Sequence, residues 1–395
     1  MKKGLSRLLG FALSITLATV GAAAYAADAD ASEISPGMDF VGDAISLSLD
    51  KAVERMTTTG PGFESAALAK EAFEAQAKGQ EDLWSSWRGV SRSISPGDLT
   101  PDPTKSLNAK VVRMTRPYLI SQAAIQYEID LNTLVYDTTQ IYHQALQAEE
   151  ALRIARENLQ TQQDILSNTN KKFELGVVSK MEVLSAESAV QDADVKVGAA
   201  ESALKAAKMS FNQKLYYPLM QDVKLTDPLA RADAPTVELK AAIESALANR
   251  NELNQLQYAL DKASLELADK NLVSRFSAEY LTAALAVKQA EKGLKDAKQL
   301  IELDIRVKYM GIQNLDREIA SMEKNVSNAK EGYRLADLSY NAGMNTLVDV
   351  QNAQLASYQT QLGLSAKILE YNLAVSDLSL AMGYGRSAAS AGQQR

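Results

Sequence analysis

The chain has 395 residues, with 42 Lys and Arg against 49 Asp and Glu, a formal charge of −7, 46% hydrophobic residues, 6% aromatics, one His and no Cys. The absence of thiols excludes a disulfide framework, a thiolate metal site and a cysteine nucleophile, and a single histidine, His143, removes most hydrolytic and zinc chemistry. No basic stripe is present to neutralise phosphates, so nucleic acid is not an expected partner. What remains is a structural, binding or conduit protein with no cofactor and no catalytic or metal-binding residue to name.

Lys2, Lys3 and Arg7 precede an apolar run from Leu8 to Val20, and Ala24-Tyr25-Ala26 supplies small residues at a cleavage site. This pattern predicts a secretory signal peptide over 1–26, followed by an N-terminal extension over 27–44. The run is too short to cross a bilayer core of roughly 30 Å at about 1.5 Å per residue. No later stretch is long and apolar enough to span a membrane as a helix, so the mature chain is expected outside the cytoplasm without a helical anchor.

All nine prolines lie at or before Pro235. Pro96, Pro101 and Pro103, with Gly97 and Asp98, mark one irregular connection; Pro218, Pro228 and Pro235 mark another. From Tyr127 to Phe173 a stripe recurs in alternating steps of four and three, through Leu131, Leu134 and Ile141 to Leu159 and Leu166. Eleven of its fourteen positions are apolar, a coiled-coil seam. Adding 167 to each position gives a second stripe, Leu294 to Tyr340, with twelve apolar positions. That agreement in phase indicates an internal duplication.

Each long helix ends alike. Leu175-Gly176 is followed by Ser179-Lys180-Met181-Glu182, and Ala342-Gly343 by Thr346-Leu347-Val348-Asp349. Glycine can close a helix in the left-handed conformation, and Ser179 or Thr346 can cap the next with an acid three residues on. A returning seam follows the first turn, Ala186, Val190, Ala193, Val197, Ala200, Leu204, Ala207 and Phe211; Leu364, Tyr371 and Leu378 echo its last part. Opening helices also correspond, Leu49 to Glu54 with Leu239 to Glu244, but 190 apart, leaving 23 extra residues in the first copy before its long helix. The expected organisation is a first helical repeat over 45–217, a linker over 218–235, a second repeat over 236–384 and a disordered tail over 385–395.

The runs Lys172 to Glu187 and Leu338 to Gln354 resemble the duplicated tip motifs of TolC-type outer-membrane efflux proteins, and the resemblance extends over roughly residues 45 to 384. It implies an all-α fold of two tandem antiparallel coiled-coil hairpins, forming an α-barrel as a homotrimer. It further implies a passive exit duct that docks through its tips with a periplasmic membrane-fusion adaptor and an inner-membrane pump. Gly176, Val177, Val178, Ser179, Gly343, Met344, Asn345 and Thr346 would then form the docking tip, with Glu182 and Asp349 near the aperture. As helix-start residues these two acids also have a purely structural reason to be there. The family's membrane β-hairpins require about 9 to 11 alternating residues per strand. The interval Asn271 to Tyr280 is too short for two strands, and the prolines interrupt the other interval, although Leu107 to Met114 can form a short strand. The β-barrel is therefore expected to be reduced or absent, which leaves outer-membrane insertion open.

A non-conducting coiled-coil spacer of the envelope suits the long seam equally. Lys298 and Lys308 interrupt the second seam and either snorkel outward or face a hollow interior. Trp84 and Trp87 suit an interface or ordinary packing, and His143 is read as a packed or surface residue.

Overall fold

The computed structural model describes residues 43–94, 101–270 and 274–386. The signal peptide, most of the 27–44 extension, Pro96 to Asp98 and residues 387–395 lie outside the described residues. In chain order the elements are β1 (Ile45–Leu47), α1 (Leu49–Thr58), α2 (Pro61–Ser93), a 3₁₀ turn (Pro103–Lys105), α3 (Leu107–Glu174), α4 (Lys180–Lys214), β2 (Val223–Leu225), α5 (Leu239–Asn249), α6 (Asn251–Asp269), α7 (Ala278–Asn341) and α8 (Leu347–Met382).

The two long helices, α3 with 68 residues and α7 with 64, set the length at about 100 Å. Shorter helices tile them. The 33 residues of α2 and 35 of α4 lie end to end along α3, and α6 and α8 do the same along α7. All run antiparallel to the helix they cover: Arg116 pairs with Glu81, Arg156 with Glu201, and Lys367 with Glu318. Because α3 also packs on α8 and α6, the helices form one layer. Its order is α4 then α2, α3, α8 then α6, α7, and toward the tip α4 also meets α8, where Ser185 donates to Gln351 and Lys196 stands over the Tyr358 ring.

The seams pack as their spacing requires. On α3, Thr138, Ala145, Leu152 and Ala155 are buried toward α4, whose Ala186, Ala193, Val197 and Phe211 are buried in return. Small residues on both sides let these helices approach closely. On α7, Ile301, Ile305, Ile312, Leu315 and Ile319 are buried against a cluster including Tyr371 and Leu378 of α8. Lys298 is exposed, whereas Lys308 is drawn into ion pairs with Asp304 and with Asp377 of α8, which also binds Arg386.

Several expectations need correction. Leu107 to Met114 is helical, the first turns of α3, because Ser106 caps Ala109 and the helix continues through Pro117. A proline interrupts one backbone bond of a helix, but here α2 and α6 hold both sides of the interruption. Of the 23 extra residues, most lengthen α2, which has 33 against 19 in α6. The expected disordered tail does not begin at Gly385. That residue is buried and accepts a bond from Asn132, and Arg386 lies 3.9 Å over the Tyr136 ring.

Among the described residues the only strands are β1 and β2, a parallel pair in register from Ile45 with Val223 to Leu47 with Leu225. They belt the middle of the layer, beside a core of Met56, Tyr142, Phe211 and Leu215. Tyr142 donates to Asp227 at 2.8 Å, and Asp227 also accepts from the backbone of Leu49. His143 follows Tyr142, and burial holds its imidazole below the ordinary value.

Candidate docking tip

The two turns meet at one end of the molecule, and their geometry follows from a few residues. After α3, Leu175 keeps a helical conformation and Gly176 takes φ +71°, a left-handed value that side chains rarely adopt. Val177 N–H then reaches the Lys172 carbonyl at 3.0 Å and Gly176 N–H the Phe173 carbonyl at 2.9 Å. This paired closure satisfies carbonyls the helix would leave bare. After α7 the same closure recurs, with Gly343 at φ +76°, Met344 N–H on Ser339 and Gly343 N–H on Tyr340.

Each following helix starts with a reciprocal cap. The Ser179 hydroxyl accepts from Glu182 N–H, and the Glu182 carboxylate accepts from Ser179 N–H. At the second turn Thr346 donates both its N–H and its hydroxyl to Asp349 Oδ2, at 2.9 and 2.7 Å. Those bonds, the hydroxyl first, hold the Asp349 carboxyl below its usual range. The predicted aperture acids are therefore both engaged in helix starts.

The turns are tied together by a cluster that the sequence did not single out. Lys172 donates to the Tyr340 carbonyl at 2.7 Å, and its ammonium stands 3.5 Å from the Tyr340 ring centroid. The Tyr340 hydroxyl donates to Glu182 at 3.4 Å. Burial pushes the Tyr340 hydroxyl up and the Lys172 ammonium down, each disfavouring its charged form. Lys172 and Tyr340 stand 168 apart, one residue off the repeat, so no local pattern marks their contact. Beneath them Ile165, Ala186, Leu347 and Val350 form a small core.

What the tip presents outward is apolar. Leu175 is 79% exposed, Met344 75%, Met181 73% and Val177 69%. Gly176, Gly343, Asn345, Ser179 and Thr346 are also exposed, and Val178 is half-buried. Leu175, Met181 and Val348 join the predicted tip residues in this surface. Among the described residues no group of His, Asp or Glu has metal-binding geometry.

This layer of paired long hairpins is the fold of outer-membrane channels. VceC from Vibrio cholerae superposes with a TM-score of 0.65 over 86% of this chain and 97% of its own, at 12% identity. The Campylobacter jejuni CmeC outer membrane channel gives 0.62 over 86% of each chain at 13% identity. The open state of the Neisseria gonorrhoeae MtrE outer membrane channel gives 0.61 over 85% and 89% at 15% identity. In sequence, residues 271–384 match the family model of outer membrane efflux proteins, a span holding α7, the second turn and α8. The resemblance to TolC-type outer-membrane efflux proteins thus holds in sequence over most of the second repeat and in fold over most of the chain. No curated protein matches this sequence.

Proposed function

We propose that the mature chain is the exit duct of an envelope efflux or secretion system, a passive homotrimer without catalytic residues. The observation that supports this best is the uncovered edge of the helix layer. α7 buries one face and leaves Leu300, Leu303, Val307 and Met310 exposed, at steps of three, four and three. Such a stripe in water asks for a partner helix. The opposite edge, α4 and α2, offers Leu184, Val195 and Leu68. Joining one edge to the other in the next copy is a head-to-tail contact, which closes into a ring when the layer is curved.

In this reading Gly176 to Ser179 and Gly343 to Thr346 meet a membrane-fusion adaptor and its pump through the exposed apolar surface around Val177 and Met344. Glu182 and Asp349 lie near the aperture of a trimer, where six carboxylates favour cations. The protein resides at the outer membrane or elsewhere in the envelope; no described helix is long and apolar enough to cross a membrane.

The test is the native mass of the chain from Ala27 purified without detergent, with images of the same particles. A trimer with a central channel is expected. A monomer, or a solid rod without a lumen, overturns the duct in favour of a spacer. Replacing Leu300, Leu303, Val307 and Met310 together by Ser is expected to leave a folded monomer.

A further inference from the structure

We propose that a cavity lined by α3, α7 and α8 binds a neutral polyhydroxylated ligand, one sugar ring in size. The cavity has a volume of about 200 Å³. At about 30 Å³ per water this is space for roughly six or seven waters, or for a single pyranose-sized ring. It falls below the range of larger organic ligands, about 300 to 1,000 Å³.

The lining is polar where the repeat calls for apolar residues. Position 357 lies on the seam that the first copy fills with Val190, yet it holds Ser357, which is 3% exposed. Tyr333 likewise stands where the first copy has Leu166. A buried hydroxyl in place of a methyl group weakens a coiled-coil seam, so packing alone gives no reason for it. Local breaks of an otherwise consistent pattern concentrate at functional sites.

The lining groups also keep hydrogen-bonding capacity. Gln354 donates to Asn158, and both are buried; whichever way the two amides are turned, the pair retains one free donor and one free acceptor side by side. Among the described residues neither amide makes another hydrogen bond. Thr161 gives its proton to the Glu157 carbonyl and keeps its lone pairs, whereas Ser357 accepts from Gln361 and keeps its proton. The Tyr333 and Tyr358 hydroxyls make no hydrogen bond among the described residues. Burial raises both, Tyr333 to about 12, so they stay neutral donors.

Charge stays at the rim, where Glu157 is exposed and paired with Arg153, and Lys330 is exposed. Adjacent donors and acceptors match vicinal hydroxyls, each of which both donates and accepts, and tyrosine rings suit the C–H groups between them. A phosphate or an amino acid would need its charge met among the buried groups, and an apolar ligand would leave the amides unpaired. Two sources carry this chemistry, a soluble sugar and the glycan of a cell wall. Sugar binding here needs no lumen, so it stands or falls apart from the duct.

The experiment is saturation-transfer NMR on the chain from Ala27 with glucose and N-acetylglucosamine, and with glycine as a charged control. Transfer to a sugar and not to glycine is expected. Ser357→Val and Tyr333→Leu, which restore the residues of the first copy, are each expected to weaken binding about tenfold, with helical circular dichroism unchanged. Asn325→Ala, at an exposed position of α7, should bind as the parent does. Sedimentation with purified peptidoglycan separates the sources: co-sedimentation that N-acetylglucosamine displaces assigns the site to wall glycan, and sugar binding without it assigns the site to a soluble sugar. Absence of transfer to both sugars, equal transfer to glycine, or undiminished binding in Ser357→Val and Tyr333→Leu overturns the proposal.

Discussion

α3 and α7 carry corresponding patterns in different surroundings. Both carry a seven-residue seam in the same phase and end in the same glycine closure, yet α3 holds twenty buried residues and α7 six. The difference is position in the layer. α3 has a neighbour on each side, so besides its seam it buries Ile154, Asn158 and Ile165 on a second face. α7 stands at an edge, and its positions 167 beyond Ile154, Asn158 and Ile165 are Ser321, Asn325 and Gly332, all exposed. The 167-residue correspondence extends to the contact each long helix makes with its own hairpin partner, while the contact between hairpins exists once per chain.

The largest test of that contrast compares the two faces of α7. Ile305 is fully buried, and Ile305→Ala should cost about 2 to 5 kcal/mol in urea unfolding. Val307, two residues away and 55% exposed, should change monomer stability by less than about 0.5 kcal/mol when made Ala. Equal effects would mean that α7 has no free face in the isolated chain.

Next comes the second face of α3. Gln354 of α8 donates to Asn158 at 3.1 Å, and both are buried. Asn158→Ala leaves the Gln354 amide without this acceptor and should cost about 1 to 3 kcal/mol. Asn325→Ala, its exposed counterpart on α7, should be nearly neutral; if it is not, the two helices are more alike than their burial shows.

The turns should behave as equals despite these surroundings. A Cβ added at Gly176 or Gly343 meets nothing within 4 Å, so Ala at either position pays only for its left-handed backbone, about 1 to 2 kcal/mol. Much greater sensitivity at one turn, measured by the shift in urea midpoint, would reveal a contact at that turn alone.

The smallest effect isolates the middle of α3. His143 is the chain's single histidine, its Nδ1 is buried without a partner among the described residues, and burial lowers its pKa. The unfolded chain then binds a proton near 6.5 that the folded chain does not, so stability falls as pH drops below that value. His143→Gln should flatten this part of the stability–pH curve. A curve unchanged by the substitution would mean that the histidine is solvated in the native state.

The amino-acid sequence by itself determined the helices, their pairing and their turns. A seam such as Ile301, Ile305, Ile312 depends on spacing along one helix, and Gly176 with Ser179 and Glu182 closes and restarts a helix through bonds spanning only a few residues. Those interactions are local, so they leave a local pattern. The tertiary structure alone decided that α3 lies inside the layer and α7 at its edge. It also decided that Lys308 pairs with Asp377 of α8, that Lys172 and Tyr340 tie the two turns together, and that Leu107 to Met114 is helical. Each of these depends on which element covers a side chain from far along the chain. Burial by a distant neighbour carries no period that a sequence can display.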